Sequence, residues 1–417
     1  MKDGEAPRTL HGADWLVRPR SRAVFEALSA EGHGVRAVGG AVRDALLGRA
    51  VKDVDLATTA WPQDVLRLAQ AAGLKVVPTG IEHGTVMVVS DGAPYEVTTL
   101  RRDVETFGRR ARVTFTSDWA EDARRRDFSM NALYCDPEGT LFDPVGGYPD
   151  LVARRVRFIG DPAARIREDY LRIPRFFRLS ADHGEGALDS AGLAACAALR
   201  DGLASLSGER IRAELFRLLV APYAAGVVTA MVEHRILDVL FPLTALRAFA
   251  RLVDIERALN RSPDALARLA ALIENGAVDV GRVAERLRLT NRETERLTRM
   301  FEGVAMSAPP QEQSGKARLY ALGPTAYVDA LLLGWARSNE PIDDPGWRHA
   351  LALPEHWRPP AMPFTGADVL ALGVPSGPEV GRILAEFETW WIAEDFPKDR
   401  RLLRAKLAEI AARRPRQ

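Results

Sequence analysis

Cysteine is scarce in this chain of 417 residues, which contains only Cys135 and Cys196. Two cysteines cannot build a disulfide framework, and their surroundings lack the spacing of a metal site, so a reducing cytoplasm fits the chain. Apolar runs of membrane-spanning length are also missing, and the N-terminal segment lacks the apolar stretch of a signal peptide. These absences predict a cytoplasmic protein without membrane contact.

An excess of one charge is missing as well, because 57 Lys and Arg residues stand against 56 Asp and Glu, for a net charge of +1. The net charge alone does not indicate a nucleic-acid partner. The arginines are nevertheless clustered, in segments 101–112, 124–126, 165–178 and 400–416. Local patches rather than net charge attract a polyanion. Taken alone, the last cluster is better explained as a solvated helix face that neighbouring acids balance.

Protein nucleophiles are missing from their usual contexts. The seven histidines are scattered, no nucleophile elbow surrounds a serine, and no His-Asp doublet of a metal phosphohydrolase occurs in the sequence. The sequence therefore gives no support to covalent catalysis by the protein or to a fused phosphohydrolase domain.

The most informative feature that is present is an Asp-x-Asp pair, Asp53 and Asp55, which follows a Gly39-Gly40 turn after a short gap. On a strand, this spacing projects both carboxylates to one face, since side chains alternate with a period of two. Paired carboxylates suit Mg2+, which also retains waters and binds phosphates. The glycines allow the backbone to approach a phosphate closely, and a helix opening at Ala41 would direct free N–H groups at it. The pattern predicts metal-assisted nucleotidyl transfer, although surface strands and turns often contain Asp-x-Asp.

The predicted secondary structure changes near Gly160. Before it, the periodicity predicts strands at 35–39, 54–57, 75–77, 85–89 and 95–100 and helices at 41–47 and 62–72. Asp91-Gly92 predicts a hairpin turn, and Thr58 or Thr59 is expected to cap the second helix. After Gly160, Ala, Leu and Arg recur at helix spacing. Breaks rich in Pro, Gly and Ser predict joints near 221–222, 307–310 and 358–360.

Six motifs occur in a fixed order along the chain: GGAVRDALLGRAVKDVDLATTA, TGIEHGTVMVV, YEVTTLRRD, EDARRRDFSMNALYCD, REDYLRIPRFFR and SGERIRAELFRLL. This series resembles the polymerase-β-like nucleotidyltransferases, and specifically the class II tRNA nucleotidyltransferases (CCA-adding enzymes) and bacterial poly(A) polymerases. The resemblance is dense in the first half of the chain and faint in the second. It implies an α+β fold: a head with a mixed sheet and helices, followed by an all-helical neck, body and tail. The expected segments are 1–160 (head), 161–220 (neck), 221–306 (body) and 307–417 (tail, tRNA-binding).

The resemblance also implies a chemistry, in which two Mg2+ ions assist the attack of a tRNA 3′-hydroxyl on CTP or ATP. A third carboxylate on a neighbouring strand would complete the metal site, and Glu96 is the candidate. A cross-strand salt bridge at a sheet edge is the alternative for Glu96. Gly39, Gly40 and Arg43 are expected to bind the nucleotide, with the glycine turn close to a phosphate.

Asp127 and Asn131 form a second constellation, with an i, i+4 spacing that would align them if the segment were helical. A carboxylate and an amide can hold a ribose 2′-hydroxyl. In the resembling enzymes the Arg-Arg-Asp motif does this, while the arginine, here Arg126, touches phosphate. A capping and salt-bridge cluster explains the same residues without a ligand.

Asp169, Arg172 and Arg175 are spaced by three residues, which would place them on one side of a helix, with Arg178 continuing the series. An acceptor beside a donor matches the Watson–Crick edges of cytosine and adenine, whereas uracil and guanine would meet it with unpaired polar groups. The segment would then select C and A in place of a template. An ordinary salt bridge between Asp169 and Arg172 is the alternative.

Three further segments carry predictions. The charged stretch from Leu100 to Asp122 looks like the flexible loop that helps CCA-adding enzymes switch from C to A, or else is a plain surface loop. The segment from Ser207 predicts a capped helix under the selecting helix, with Glu209 and Arg210 as structural braces. In the tail, the turn with Gly373, Ser376 and Gly377 opens a helix and could hold a tRNA phosphate, or could be a tight turn only.

Together these features predict an enzyme that adds CCA to tRNA. A poly(A) polymerase is the first alternative, although the long basic extension common in those enzymes is missing. An enzyme that adds only CC or only A is the second. A non-catalytic RNA-binding protein is a remote third, which the intact Asp53, Asp55, Asp169 and Arg172 argue against.

Overall fold

The structure of the protein, a computed structural model, describes residues 9–107, 110–240, 245–274, 276–302 and 308–413. The chain forms two compact units, Met1–Pro242 and Leu243–Gln417. None of the helices within the described ranges has the length and apolarity needed to span a bilayer. The division of the chain into head, neck, body and tail stays a prediction.

The described part of the first unit contains nine strands. They are β1 (Val35–Val38), β2 (Val54–Thr58), β3 (Lys75–Gly80), β4 (Thr85–Ser90), β5 (Ala93–Thr99), β6 (Arg101–Phe107), β7 (Arg110–Phe115), β8 (Tyr134–Cys135) and β9 (Leu141–Phe142). Seven of them form one sheet in the order β3-β4-β5-β2-β1-β8-β9. β2 pairs with β5 in parallel, whereas the other neighbours pair antiparallel. The sheet is therefore mixed, and the predicted α+β class is confirmed.

The helices of the first unit flank the sheet and then follow it. They are α1 (Asp14–Val17), α2 (Pro19–Ser29), α3 (Gly40–Leu46), α4 (Pro62–Ala71), α5 (Trp119–Arg124), α6 (Tyr148–Val152), α7 (Pro162–Glu168), α8 (Arg172–His183), α9 (Ser190–Ala198), α10 (Gly208–Leu219) and α11 (Ala224–Glu233). Short 3-10 turns lie at Ala30–Gly32, Ile81–His83, Ser129–Asn131, Arg200–Ser205 and Leu237–Val239. The change from strands to helices near Gly160 is thus confirmed.

The strands around the Asp-x-Asp pair form where the periodicity predicts them, with ends that differ by one to three residues. β4 alternates between buried and half-buried side chains, which is the pattern of a strand with one face on the core. Asp91 and Gly92 have φ angles of 48° and 72° and join β4 to β5 in a two-residue hairpin, as predicted.

The predicted cap of α4 is wrong. The N-cap residue is Trp61, whose side chain makes no capping hydrogen bond. Thr59 Oγ1 instead accepts from the Gly34 amide at 2.9 Å, and Thr58 Oγ1 accepts from the Ala60 amide at 3.1 Å. Both threonines therefore stabilise the end of β2, and Pro62, which lacks an N–H, reduces the need for a cap.

The charged stretch after Leu100 is a two-stranded antiparallel ribbon, not an irregular loop. β6 and β7 pair only with each other, with a register shift between Asp103 and Glu105. Its base is fixed to the sheet because the Thr116 amide donates to the Leu100 carbonyl at 2.9 Å. Residues 108–109 of this stretch lie outside the described residues.

An aromatic core joins the sheet region to the helices of the first unit. The rings of Phe128, Phe158 and Phe176 lie 4.8–6.3 Å apart, and Phe177 meets Phe176 edge-on at 5.2 Å. Phe176 and Phe177 are on α8, so this core fixes α8 beside the segment that precedes β8. The polar side of α8 then faces carboxylates of neighbouring elements.

The second unit is helical in its described part. Its helices are α12 (Leu246–Ala258), α13 (Ala265–Leu272), α14 (Ala277–Leu287), α15 (Asn291–Glu302), α16 (Glu312–Arg337), α17 (Pro345–His356), α18 (Gly366–Ala371), α19 (Pro378–Ala393) and α20 (Arg400–Ala412). α16 is interrupted at Gly323, which has a φ of 74° and is followed by Pro324. A separate apolar cluster around Phe387 and Trp391 packs α18, α19 and α20 together.

Candidate active site

The Asp-x-Asp carboxylates lie where β2 begins, in the middle of the sheet. Asp53 immediately precedes β2, and Asp55 is its second residue. Asp55 pairs with Val38 of β1 on one side and with Glu96 of parallel β5 on the other. The predicted third carboxylate therefore lies on a strand adjacent to the first two.

The alternative for Glu96, a cross-strand salt bridge, is not seen. Its neighbour on β4 is Met87, which carries no charge. Within the described residues, no hydrogen bond or ion pair engages the side chains of Asp53, Asp55 or Glu96. All three are exposed to solvent. Three unpaired carboxylates thus share one region of the sheet.

The negative charges in this region perturb Asp55. Partial desolvation, followed by the charges of Glu96 and Asp53, raises the pKa of Asp55 to about 6, while Arg126 acts in the opposite direction. A divalent cation would offset this repulsion between carboxylates. The described residues contain no preformed group of three side chains spaced to hold a metal ion. The donor set still fits Mg2+, since that ion binds through one or two carboxylates together with waters and substrate phosphates.

The Gly39-Gly40 turn connects β1 to α3 directly beside β2. Gly39 has φ 74° and ψ −126°, a conformation that residues with a Cβ avoid, and it is the N-cap residue of α3. A Cβ at Gly39 would lie 3.8 Å from the Asn131 carbonyl oxygen and 4.0 Å from Arg126 Nη1. The helix begins at Gly40, one residue before the predicted start. The turn therefore requires glycine and lies next to the Arg-Arg-Asp segment.

Arg43 of α3 joins this turn to the second constellation. Its Nη1 donates to Asn131 Oδ1 at 2.7 Å, and its Nε donates to Asp44 Oδ1 at 2.9 Å. The side chain is only 11% exposed. Arg43 thus holds Asn131 in place, and the structure does not by itself show a free guanidinium for a phosphate.

Asp127 and Asn131 do come together, but not on a helix. The segment is a bend followed by a 3-10 turn, Ser129–Asn131, and Asn131 Nδ2 donates to Asp127 Oδ1 at 3.4 Å. Asp127 Oδ2 accepts from Arg175 Nε of α8 at 2.7 Å. Burial alone would raise the pKa of Asp127, but the charge and hydrogen bond of Arg175 outweigh it and hold that pKa below its usual value. The carboxylate is therefore ionised and able to accept a further hydroxyl.

A buried carboxylate, Asp122, orients the Arg126 side chain, and the sequence did not predict this contact. Arg126 Nη2 and the hydroxyl of Tyr134 both donate to Asp122 Oδ2, at 3.0 and 2.7 Å. Asp122 Oδ1 accepts from Arg125 Nε at 2.8 Å. Asp122 is 1% exposed and balances two arginines at once. It fixes the orientation of the Arg-Arg-Asp segment.

The prediction that Asp169, Arg172 and Arg175 share one helix is wrong for Asp169. Asp169 has extended φ and ψ of −153° and 109° at the end of α7, while Arg172 is the first residue of α8. The Asp169 carboxylate turns toward the start of α8 and accepts from the Leu171 amide at 3.0 Å. A break between two helices, rather than one continuous helix, brings these side chains together.

The alternative salt bridge between Asp169 and Arg172 is not seen either. Asp169 Oδ2 accepts from Arg210 Nη2 of α10 at 2.8 Å. Arg172 Nη1 donates to Glu168 Oε2 at 2.5 Å and to the Arg165 carbonyl at 2.7 Å. The two residues therefore stand beside each other with different partners.

Arg175 and Arg178 of α8 share a carboxylate on α10. Arg178 Nε donates to Glu214 Oε2, and Arg175 Nη1 lies 3.7 Å from Glu214 Oε1. Glu214 is 7% exposed. The sequence reasoning missed it, although a carboxylate between Ile211 and Leu215 on the apolar face of a predicted helix was a signal.

Arg210 lies where a brace would, since it contacts the Asp169 carboxylate, and α10 packs against α8. Ser207 is the N-cap residue of α10 but makes no side-chain capping bond, which corrects that detail. A cavity of about 450 Å3 opens beside Asp169. Its lining comes from the end of α7 and the start of α10, namely Arg167, Glu168, Asp169, Tyr170, Ser205, Leu206, Ser207 and Arg210.

The predicted tail turn lies between α18 and α19 of the second unit. Gly373 has a φ of 80°, and Val374 is buried in the apolar cluster of that unit, while Ser376 and Gly377 are exposed. The turn therefore packs the two helices together. Its contact with tRNA stays a prediction.

Residues 35–157 match the model of the poly A polymerase head domain, and residues 187–246 match a model described as the probable RNA and SrmB-binding site of polymerase A. CCA tRNA nucleotidyltransferase 1, mitochondrial, of Danio rerio is 34% identical over 373 residues, which are 86% of this chain and 83% of the relative. The CCA-adding enzyme of Lacticaseibacillus paracasei is 32% identical over 395 residues, or 92% of this chain and 95% of the relative.

Solved structures match over nearly the whole chain. The Bacillus stearothermophilus CCA-adding enzyme in complex with CTP has a TM-score of 0.74 and 27% identity, covering 94% of this chain and 98% of that one. The Thermotoga maritima CCA-adding enzyme complexed with tRNA has a TM-score of 0.69 at 19% identity, over 94% and 96%, which supports the fold alone.

Proposed function

The chain belongs to the family of CCA-adding tRNA nucleotidyltransferases, and we propose that it adds C, C and A to the 3′ end of tRNA from CTP and ATP without a nucleic-acid template. The observation that carries this proposal is the register of Asp55 and Glu96 on adjacent strands, with Asp53 next to them and all three carboxylates unpaired. Such a group beside a glycine turn suits the triphosphate and metal of a nucleotide.

Asp53 and Asp55, with Glu96 as the third candidate, would hold Mg2+. When bound, the ions would activate the attacking 3′-hydroxyl and neutralise the leaving pyrophosphate. The Gly39-Gly40 turn lies next to β2 and would bring backbone N–H groups close to the phosphates. No protein nucleophile is needed, because the hydroxyl of the tRNA attacks the α-phosphorus directly.

Asp127 would accept the ribose 2′-hydroxyl of the incoming nucleotide. Its carboxylate is kept ionised by Arg175 and is oriented by Asn131, which Arg43 holds in turn. A deoxyribonucleotide would not form this hydrogen bond to an ionised acceptor, a contact worth about 1.5–3 kcal/mol. Arg126, oriented by Asp122, would then face phosphate.

Asp169 and Arg172 would read the base. Asp169 accepts the exocyclic amine of C or A, and Arg172 donates to the ring nitrogen. Each residue has protein partners when no nucleotide is bound, Arg210 for Asp169 and Glu168 for Arg172. A carboxylate oxygen has a second lone pair and a guanidinium has five donors, so both can add a base contact without leaving the protein partner.

Three further proposals concern the tail turn, the ribbon and the compartment. The exposed turn at Gly373, Ser376 and Gly377 would bind tRNA backbone. The β6–β7 ribbon occupies the position in the sequence of the loop that favours full CCA addition. The cytoplasm is the proposed compartment because Cys135 and Cys196 are buried free thiols. The vertebrate relatives carry mitochondrial names.

A direct test uses tRNA that lacks its 3′ CCA, incubated with CTP, with ATP and with both, followed by counting of the added nucleotides. Full CCA addition predicts two residues with CTP alone and three with both. Addition of A only, of two C only, or of a long A tail would replace the proposal by a partial enzyme or a poly(A) polymerase. The Asp55→Asn variant is the matched control for a contaminating activity.

A further inference from the structure

Arg165 of α7 contacts both the segment before Asp127, which is proposed to bind the ribose, and the segment that contains Arg172, which is proposed to bind the base. Its Nη2 donates to the Arg126 carbonyl at 2.6 Å and also to the Arg125 carbonyl. These are the two peptide groups that lead into Asp127. Its Nη1 donates to Glu168 Oε2 at 2.5 Å. The side chain is 11% exposed, so water does not replace these bonds readily.

The same small region contains Arg172. Arg172 Nη1 donates to Glu168 Oε2 at 2.5 Å and to the carbonyl of Arg165 itself at 2.7 Å. Its Nη2 lies 3.4 Å from the Arg125 carbonyl. Two arginines thus share one carboxylate, Glu168, and reach the same backbone carbonyl ahead of Asp127.

The arrangement has an electrostatic cost that a purely structural arginine would avoid. Burial, followed by the positive charge of Arg172, lowers the pKa of Arg165, and its Nε has no hydrogen-bond partner among the described residues. Glu168 offsets the repulsion between the two guanidinium groups. Hydrogen bonds therefore link Arg165, Glu168 and Arg172 in one network, so that a displacement of Arg172 toward a base would alter the bonds that hold the backbone before Asp127.

We propose that Arg165 is a positioning residue that couples recognition of the ribose by Asp127 to recognition of the base by Asp169 and Arg172. This inference rests on the proposed function. The planar fork of arginine serves two carbonyls and a carboxylate at once, which a lysine ammonium cannot do with the same geometry. Glu168 acts on the base side of this link, because it accepts from Arg172 and from Arg165 Nη1, whereas the carbonyls before Asp127 accept from Arg165 Nη2 and keep that donor when Glu168 is changed.

The test compares Arg165→Lys and Glu168→Gln with the parent enzyme, using tRNA that lacks CCA. For each protein, kcat/KM is measured with CTP, with dCTP and with UTP. The ratio of kcat/KM for CTP to that for dCTP measures recognition of the ribose. The ratio of kcat/KM for CTP to that for UTP measures recognition of the base. Arg200→Lys is the matched control, since Arg200 also donates to a backbone carbonyl, that of Ala197 at 2.7 Å. Within the described residues, no hydrogen bond joins Arg200 to Glu168 or to the carbonyls before Asp127.

In Arg165→Lys both ratios should fall together by about tenfold, the change that corresponds to about 1.4 kcal/mol. In Glu168→Gln the base ratio should fall while the ribose ratio stays within about twofold. Arg200→Lys should leave both ratios unchanged. Thermal unfolding of each variant shows whether it is folded, and if Arg165→Lys does not fold, the pattern in Glu168→Gln decides.

Two results would overturn the coupling. One is an Arg165→Lys enzyme with parental ratios, whatever its stability; the other is a Glu168→Gln enzyme with parental ratios. Failure of the proposed function is distinguishable, because in that case the parent enzyme itself would not incorporate CTP into the tRNA.

Discussion

Asp55 and Glu96 lie side by side as register partners on β2 and β5, two neighbouring strands that pair in parallel in the seven-stranded sheet. Parallel pairing brings together two carboxylates that are separated by 41 positions in the sequence. Neither is engaged by a cation within the described residues. Partial desolvation, and then the charge of Glu96, raise the pKa of Asp55. Two acidic side chains held side by side without a cation form a candidate ligand site.

The Asp53→Asn and Asp55→Asn variants should each lose incorporation of both C and A by on the order of a thousandfold, since the metals stabilise the transition state by several kcal/mol. Binding of tRNA should persist because phosphate and shape contacts lie elsewhere. Single-turnover assays and filter binding measure the two effects. Asp91→Asn, in the hairpin turn of the same sheet, is the control and should behave as the parent. Turnover near the parental rate in either site variant would rule out the metal assignment.

Glu96→Gln should reduce the rate less than the two aspartate variants. Glutamine keeps one oxygen ligand but removes the charge, and Asp53 and Asp55 alone can hold Mg2+ with waters and phosphates. A titration of activity against Mg2+ should therefore show a higher half-saturating concentration. If the Mg2+ titration coincides with that of the parent, Glu96 has a structural role only.

Gly39→Ala tests the turn beside β2. Gly39 adopts φ 74° and ψ −126°, and a Cβ there would meet the Asn131 carbonyl oxygen at 3.8 Å. Alanine in such a conformation costs about 1–3 kcal/mol, and a turn that relaxes would also displace Asn131 and the phosphate contacts. We expect lower stability in urea unfolding together with a raised KM for CTP.

The control for this turn is Gly226→Ala, because Gly226 lies inside α11 and an added Cβ meets nothing within 4 Å. Alanine there should stabilise the protein by about 0.5–1 kcal/mol and leave the KM unchanged. A Gly39→Ala enzyme as stable and as active as the parent would show that the turn does not need glycine.

The protonation state of the buried His183 predicts how stability depends on pH. Arg49 Nη1 lies 2.8 Å from His183 Nδ1, and because arginine can only donate, that nitrogen accepts and the ring is neutral. Burial, and then the charges of Arg43, Arg49 and Arg178, lower the pKa of His183 to about 2. Asp44, 4.0 Å from Nε2, does not compensate. The folded protein therefore excludes a proton that the unfolded chain binds below its ordinary pKa of 6.5.

The sign of the pH dependence follows. Stability is complete above pH 6.5 and falls as the pH drops below it, by about 1.4 kcal/mol per pH unit for this one group. Between pH 7.5 and 5.5, His183→Gln should lose about 1.4 kcal/mol less than the parent, as measured by urea unfolding at both values. His11→Gln, at an exposed position of the same unit, should not differ from the parent. Equal losses in His183→Gln and the parent would contradict a neutral, buried His183.

Local patterns were enough to predict most of the sheet. β1, β2, β4 and β5 are short runs of apolar or alternating residues, and turn-forming residues lie at their ends. The Asp91-Gly92 pair favours a two-residue hairpin turn. The β6–β7 ribbon was not predictable in this way, because its charged sequence has no strong apolar periodicity that would indicate a strand.

The site was predictable as a set of residue types but not as a set of contacts. The spacing of Asp169 and Arg172 suggested one helix, whereas the backbone at Asp169 is extended and α8 starts afresh at Arg172. The partners that orient the site, such as Asp122, Glu168 and Glu214, depend on packing between elements, and no local pattern specifies which carboxylate meets which arginine.

Arg172→Ala separates base selection from a structural role. Arg172 is 13% exposed and bonds Glu168 and the Arg165 carbonyl. If Arg172 also donates to the ring nitrogen of C and A, its removal abolishes a contact to a charged donor, worth about 1.5–3 kcal/mol. The preference for CTP over UTP should then fall by about tenfold or more, with the metal site intact. The measurement is kcat/KM for the four nucleoside triphosphates, each tested separately on a tRNA that ends at the discriminator base.

Arg235→Ala provides the comparison, because Arg235 forms an exposed ion pair with Asp238 three residues away. Removal of such a pair changes stability by less than about 1 kcal/mol and should not affect nucleotide choice. Arg172→Ala will also lose stability, since Glu168 then loses one of its two arginine partners among the described residues. Stability and selectivity are therefore measured on the same protein. An Arg172→Ala enzyme that is less stable but keeps the parental preference for CTP over UTP would show that Arg172 supports the fold and that another group selects the base.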